Sequence, residues 1–189
     1  MRVDATPANR RLTAATAVVL LAFLAVEGVT ILLIRPLFTW HVVIGMLLVP
    51  PIALKLASTG WRFSRYYLGH AAYVEAGPPP LLLRATAPLV VLSTLAVFGT
   101  GVAMALLGPS SQGLIGIHKA SFVVWLAATG VHVLAHLWNV PGLARRAQRP
   151  QVALVLAAVA AGAALAAASV PLAHSWHGWL TTHHREHDG

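Results

Sequence analysis

The chain contains no cysteine and only five acidic residues among its 189. The absence of cysteine excludes disulfide bonds, thiolate-ligated haem and iron–sulfur clusters held by cysteine. Charged residues make up 10% of the sequence and apolar residues 58%, whereas a soluble domain usually has about 25% charged residues. Long uncharged runs recur along the whole chain, and this shortage of charge indicates a membrane protein.

Five apolar segments are long enough to cross a bilayer, which takes roughly 20 helical residues. Membrane helices are predicted over Leu12–Ile34, Leu37–Ala57, Ala85–Leu107, Leu114–Trp138 and Val152–Ala173. The segments are too long and too uniformly apolar for barrel strands, so the predicted fold class is all-α. We expect one integral membrane domain over residues 1–173, with a four-helix core and a fifth helix packed on it. The first segment exceeds the apolar length of a cleaved signal peptide and is expected to remain a spanning helix.

The basic residues predict the orientation of this bundle. They gather before the first helix, around the second connection and in the fourth connection: Arg2, Arg10, Arg11, Lys55, Arg62, Arg65, Arg84, Arg145, Arg146 and Arg149. Loops rich in Lys and Arg stay in the cytoplasm, so we predict a cytoplasmic N-terminus and an extracytoplasmic C-terminus in a bacterial-type plasma membrane. The formal net charge of +8 does not indicate nucleic-acid binding, because it lies in short loops that meet anionic lipid.

Two segments outside the predicted helices have unusual compositions. Residues 58–84 mix Trp, Tyr and Arg, which suits the headgroup region, and we expect an interfacial segment with a short helix that Pro78–Pro80 ends. A partner-binding motif is the alternative for this segment. Residues 174–189 form a histidine-rich tail that we expect to be extracytoplasmic and flexible; it could bind zinc, copper or nickel, first through His184 and His187.

Histidines inside the apolar segments are the main functional signal. His118 and His132 are 14 residues apart, which places them on one helix face about 21 Å apart along the axis, and His136 lies one turn further. His41 lies about as deep in the second helix as His118 lies in the fourth, and these helices are diagonal neighbours in an up-down bundle. Imidazole is a good iron ligand, so a flat macrocycle could stand between the two rings. Three glycines, Gly45, Gly113 and Gly116, would give it room.

With "HKASFVVWLAATGVHVLAHLW" and "WHVVIG", the chain resembles membrane b-type cytochromes, a group that includes cytochrome b subunits and ferric-reductase-like transmembrane haem proteins. The likeness covers roughly Leu12–Trp138. It implies haem b held by His41 and His118 as axial ligands, and electron exchange with a quinone or a redox partner subunit. His132 and His136 would be the inner haem-binding histidines.

The sequence departs from that pattern at the inner site. A second haem would need a histidine 14 residues after His41, and this position is Lys55. Pro50 and Pro51 also intervene and are expected to kink the second helix. We therefore expect one haem, and a second remains open, with a ligand from His70 or from a partner subunit. Otherwise the inner histidines serve a quinone, a proton path or packing.

Two charges in the predicted spans, Glu27 and Lys119, are expected at similar depth. A charge in hydrocarbon is costly and is usually paired or functional. We predict a Glu27–Lys119 ion pair; the alternatives are proton exchange with a quinol and, for Lys119, contact with a haem propionate.

The predicted function is that of an electron-transfer component, and the sequence shows no nucleotide-binding glycine loop and no flavin domain of a stand-alone enzyme. Two other classes remain open. One is a haem-free membrane scaffold or assembly protein whose histidines only bridge helices. The other is a membrane protein that binds a transition metal through its tail and inner imidazoles.

Overall fold

The chain folds into helices throughout the part that the computed structural model describes, residues 5–77, 81–136, 138 and 140–187. Seven α-helices follow one another: α1 (Ala5–Leu32), α2 (Ile34–Tyr67), α3 (Ala71–Glu75), α4 (Leu81–Leu107), α5 (Leu114–His136), α6 (Val140–Ala144) and α7 (Arg149–His187). A 3₁₀ turn at Gly108–Ser111 joins α4 to α5. These residues contain no strand, which confirms the all-α prediction.

Five of these helices, α1, α2, α4, α5 and α7, are long and apolar enough to cross a membrane. Many of their large apolar side chains lie on the outside of the bundle, as lipid-facing residues do; Leu134 is 68% exposed and Val123 64%. In water such a surface would be unstable, because exposed apolar area is unfavourable there. The chain is therefore a multi-pass membrane protein.

Helix α2 is longer than the sequence predicted, because it continues from the membrane segment to Tyr67. It ends where Gly69 adopts a φ of +74°, which most other residues avoid. There the amide of His70 donates to the Arg65 carbonyl and that of Gly69 to the Tyr66 carbonyl, a Schellman ending. The predicted short helix of the connection is α3, whereas Pro78–Pro80 lie outside the described residues.

Two prolines in the middle of α2 leave its backbone angles helical, although we expected a kink there. The non-helical residue inside α2 is Leu37, with φ −110° and ψ 19°. Pro51 is almost completely buried and Pro50 is half-buried, so neighbouring helices cover this part of α2.

The tightest helix contact joins α7 to α2. A Cβ atom on Gly162 would overlap the carbonyl group of Leu47, so only glycine fits between these two backbones. This close approach agrees with the prediction that the small-residue fifth segment serves as a packing helix. The apolar core beside it is made by Leu20 of α1 with Leu48 and Ile52 of α2.

Helix α7 also continues past its predicted end at Ala173, through the start of the histidine-rich tail to His187. Trp176 is 4% exposed, and its indole N–H donates to the carbonyl of Met104 in α4 at 2.9 Å. This buried contact holds the beginning of the tail on the bundle, and the expected flexibility of the rest of the tail stays a prediction. The side chains from His177 onward, including His184 and His187, lie outside the description.

Helix α5 has its main neighbour in α4. The indole N–H of Trp125 in α5 donates to the Thr94 hydroxyl of α4 at 3.0 Å, and the Trp125 ring meets Phe98 at 6.5 Å between centroids. Within the described residues, α5 has no extensive backbone contact with α1 or α2. The four core helices therefore form two pairs, α1/α2 and α4/α5, with an open interface between α5 and the first pair.

Candidate functional site

A buried carboxylate holds the His41 ring at the end of the α1/α2 pair where α1 passes into α2. Glu27 of α1 is only 7% exposed, and its Oε1 lies 2.8 Å from Nδ1 of His41. The Thr30 hydroxyl lies 3.1 Å from Glu27 Oε2 and 3.3 Å from His41 Nδ1. Because a carboxylate accepts hydrogen bonds, Nδ1–H of His41 donates to Glu27, and Nε2 is the ring nitrogen that this contact leaves for a ligand.

Gly45, one turn after His41, makes room for that carboxylate. A Cβ on Gly45 would lie 3.7 Å from Glu27 Oε1, and a larger side chain would compete with the acid for this position. The sequence predicted Gly45 as room for a cofactor, and the structure shows it next to the acid that orients His41.

The second ring, His118, is held in the same way by the α4/α5 pair. Its Nδ1 lies 3.0 Å from the Thr100 hydroxyl oxygen, and that hydroxyl donates to the Ala96 carbonyl at 2.7 Å. The proton of Thr100 is thus used within α4, so its oxygen accepts from Nδ1–H of His118. His118 is therefore held through Nδ1 by a neighbouring helix, as His41 is.

Gly101 allows the close approach of His118 to α4. A Cβ at this position would lie 3.3 Å from Cε1 of His118, which is tighter than most such contacts. Neither Thr100 nor Gly101 was predicted from the sequence. The signal that could have found them is the polar pair Thr100-Gly101 within an apolar helix, opposite a histidine of the next helix.

The two imidazoles lie opposite each other across the open interface. Their ring centroids are 6.3 Å apart, and their planes cross at 78°. Two imidazoles that bind one metal ion from opposite sides, with bonds of about 2 Å, hold their centroids about 6 Å apart. Both rings are half-buried and both have Nδ1 hydrogen-bonded to a neighbouring helix, so two imidazoles at this spacing would suit one metal ion between them.

Few other residues surround the contact between the two rings. In the described part of the chain, α5 lacks extensive contact with α1 and α2, so the rings meet where the two helix pairs are otherwise little joined. Gly113 and Gly116, which the sequence predicted as room for a cofactor, are exposed, and an added Cβ would meet no heavy atom of another part of the chain within 4 Å.

The inner histidines lie further along α5. His132 is half-buried, four turns beyond His118, and the side chain of His136 lies outside the description. Lys55, at the position where a second haem would need a histidine, donates from Nζ to the Thr13 carbonyl at 2.9 Å. His70 is exposed and hydrogen-bonded to Arg65, so it does not fold back into the bundle.

The predicted ion pair between Glu27 and Lys119 is not formed. Glu27 binds His41 and Thr30, whereas Lys119 is exposed on the opposite side of α5 from its packed face. The prediction rested on similar depth in the membrane, and depth does not fix the direction in which each side chain leaves its helix. Among the described residues, no group of three or more His, Cys, Asp and Glu side chains is placed to hold a metal ion.

Comparisons of the chain with protein-family models, curated proteins and solved structures found no match. The function is therefore inferred from the geometry of the histidine pair and from the membrane fold.

Proposed function

We propose that the protein is a membrane b-type cytochrome in which His41 and His118 bind the iron of one haem. The observation that carries the proposal is the pair of imidazoles, 6.3 Å apart between centroids, each with Nδ1 hydrogen-bonded to a neighbouring helix. A bound haem would supply a reversible one-electron couple. The protein's own residues would bind the iron through the two imidazoles, and the hydrogen bonds to Glu27 and Thr100 would orient the rings.

The proposal is for one haem and not two. His132 lies about 21 Å from His118 along α5, and the corresponding position of α2 is a lysine bonded to α1. A second haem would need a ligand from outside the described residues or from another subunit.

Electron exchange with a membrane quinone or with a redox subunit is part of this proposal. The α4/α5 pair packs through Trp125 and Phe98, so aromatic side chains lie one to two turns from His118 toward the other membrane face.

The distribution of basic residues supports a cytoplasmic N-terminus, with His41 and His118 near the extracytoplasmic surface. A cysteine introduced at exposed Ser110 should then react with an impermeant thiol reagent from outside intact cells; labelling only after lysis would reverse the orientation.

Purification of the full chain in mild detergent tests the proposal. We expect a red protein with a reducible b-type spectrum and about one haem per chain in a pyridine haemochrome assay. Replacement of either ring, by His41→Ala or His118→Ala, should abolish haem binding, because one imidazole is left without its partner. His132→Ala is the matched control on the same helix and should keep the haem.

Other results would support other functions. Full haem content in His41→Ala would refute the ligand pair. A colourless chain that binds copper or zinc through its tail would be a metal-binding membrane protein, and a colourless chain that binds neither would be a scaffold.

A further inference from the structure

Helix α7 has a buried face that ends in a large aromatic residue. From the glycine that touches α2 onward, buried residues recur every three or four positions: Gly162, Ala166, Ser169, Ala173 and Trp176. The first four are small, which suits close packing against a neighbouring membrane helix. Trp176 differs from them, because its indole N–H donates to the Met104 carbonyl of α4 at 2.9 Å.

This hydrogen bond lies where α4 ends. Met104 is in the last turn of α4, which stops at Leu107, before Gly108 takes a φ of +66°. A Cβ on Gly108 would lie 3.8 Å from the Ser175 hydroxyl oxygen, so the residue before Trp176 also lies beside this turn. A buried indole N–H needs an acceptor, and the Met104 carbonyl provides it. The outer part of α7 is therefore fixed to the end of α4.

The contact joins the two helix pairs that carry the proposed ligands. Helix α7 is fixed to α2, which carries His41, by the close approach of their backbones. On the other side, Met104 lies one helical turn after Thr100, whose hydroxyl oxygen is 3.0 Å from Nδ1 of His118. Close contacts thus run from α2 through α7 and Trp176 to the group that orients His118.

The other contacts between the pairs are looser. Helix α2 meets α4 along an apolar groove of about 290 Å³ that Ile52, Leu56, Phe98 and Gly99 help to line. Within the described residues, α5 has no extensive backbone contact with α1 or α2. Close packing holds side chains at fixed positions, whereas an unfilled interface allows two helices to shift. The separation of the two rings therefore depends on the contact that Trp176 makes.

We propose that Trp176 is a positioning residue for the pair of His41 and His118. Its hydrogen bond holds the α4/α5 pair at a fixed distance from α2, and this distance sets the separation of 6.3 Å between the two ring centroids. The inference extends the proposed haem site and rests on it wherever haem is measured. The separation of the helix pairs can be measured without haem, so a failure of either proposal can be recognised separately.

Two indole hydrogen bonds of similar length provide a matched pair of variants. Trp176 donates to Met104 between the helix pairs, whereas Trp125 donates to Thr94 at 3.0 Å within the α4/α5 pair. Trp176→Phe and Trp125→Phe each remove one indole N–H and keep an aromatic ring. Both should lower the midpoint of thermal unfolding, but only Trp176→Phe should change the separation of the pairs.

Spin labels on the full chain in detergent measure that separation without haem. The sequence contains no cysteine, so Leu32→Cys in α1 and Val123→Cys in α5 give two label sites, both of them exposed. We expect Trp176→Phe to broaden the distribution of distances between the labels and to shift it to longer distances. With Trp125→Phe the distribution should stay unchanged.

Haem provides a second measurement. Trp176→Phe should lose haem to an excess of a haem acceptor about two- to tenfold faster, which corresponds to the loss of one neutral hydrogen bond. Its low-spin ferric signal in electron paramagnetic resonance should also change, because a shift of one helix pair turns one ring relative to the other. Trp125→Phe should keep both the rate and the signal.

The unaltered protein provides a measurement that needs no variant, which matters if Trp176→Phe does not fold. Coupling between two sites is reciprocal, so bound haem should stabilise the Trp176 contact. Hydrogen exchange of the two indole N–H groups, followed by NMR, should slow more for Trp176 than for Trp125 when haem binds. Equal slowing of both would contradict the proposal.

Three results with the variants would overturn the proposal. An unchanged distance distribution in Trp176→Phe would show that this bond does not fix the separation of the pairs. Equal broadening in Trp125→Phe would reduce the effect to a general loss of stability. Unchanged haem loss in a Trp176→Phe protein whose pairs have separated would show that this separation does not govern the site. A chain that shows the expected distances but binds no haem would refute only the proposed cytochrome function.

Discussion

At the scale of single residues, the two imidazoles differ in the group that holds them. His41 donates to the carboxylate of Glu27, whereas His118 donates to the neutral hydroxyl of Thr100. A carboxylate partner increases the basicity of a metal-ligating imidazole more than a hydroxyl does. Glu27 should therefore act as a positioning residue that also stabilises the more positively charged, oxidised state of a metal between the rings.

Replacement of this acid by its neutral isostere tests that role. Glu27→Gln keeps the shape and an acceptor oxygen beside His41 but removes the charge. We expect haem content to be retained and the midpoint potential to rise by roughly 60 mV, which corresponds to a tenfold change for one electron. A redox titration monitored in the visible spectrum measures it.

Thr100→Val is the matched change at His118, and it should shift the potential less because it removes a neutral acceptor. Equal potentials for Glu27→Gln and the unaltered protein would show that the carboxylate does not act on the couple.

The sequence allowed the two proposed ligands to be predicted, but not the groups around them. His41 and His118 followed from helix periodicity and depth, which depend only on the position along the chain. Their contacts with Thr30, Thr100 and Gly101 depend on how each helix is rotated about its axis, and adjacent helices set this rotation. The wrong prediction of the Glu27–Lys119 pair has the same cause.

At the scale of helices, the packing of α7 on α2 carries much of the fold. The contact depends on Gly162, since a side chain there would strike the Leu47 carbonyl. Small residues throughout α7 made a packing role predictable, but only the structure identifies which glycine and which partner helix.

A single methyl group tests this contact. Gly162→Ala should lower the free energy of unfolding by about 1–3 kcal/mol, the usual effect of overpacking, because the α7 backbone must move away from α2. Thermal unfolding in detergent measures the change.

The matched control is Gly130→Ala in α5, where an added Cβ meets nothing within 4 Å. It should be neutral or slightly stabilising, since alanine is the better helix former. If both variants were equally stable, the close approach of α7 to α2 would be wrong.

Helix ends were harder to predict than helix centres. The second and fifth helices were predicted to end with their apolar runs, at Ala57 and Ala173. In the structure α2 continues to Tyr67 and α7 to His187. Both extensions contain amphipathic aromatic residues, exposed Trp61 in α2 and buried Trp176 in α7, which suit a helix that continues beyond the apolar region. Hydropathy alone marks only the part that crosses the membrane.

At the scale of the whole molecule, two helix pairs form the framework of the candidate site. Each pair fixes one histidine through a hydrogen bond within the pair, and the two rings meet across the open interface. Each histidine is thus positioned within its own helix pair, whereas the contact between the two rings joins the pairs. A metal centre bound by both rings would connect the halves and should stabilise the bundle against unfolding.

Electron paramagnetic resonance of the oxidised, haem-loaded protein tests the central claim most directly. Two axial imidazoles with planes crossing at 78° should give a low-spin ferric signal of the strongly anisotropic kind, and both His41→Ala and His118→Ala should abolish it. A high-spin signal in the unaltered protein, or an unchanged low-spin signal in either variant, would contradict ligation of one iron by this pair.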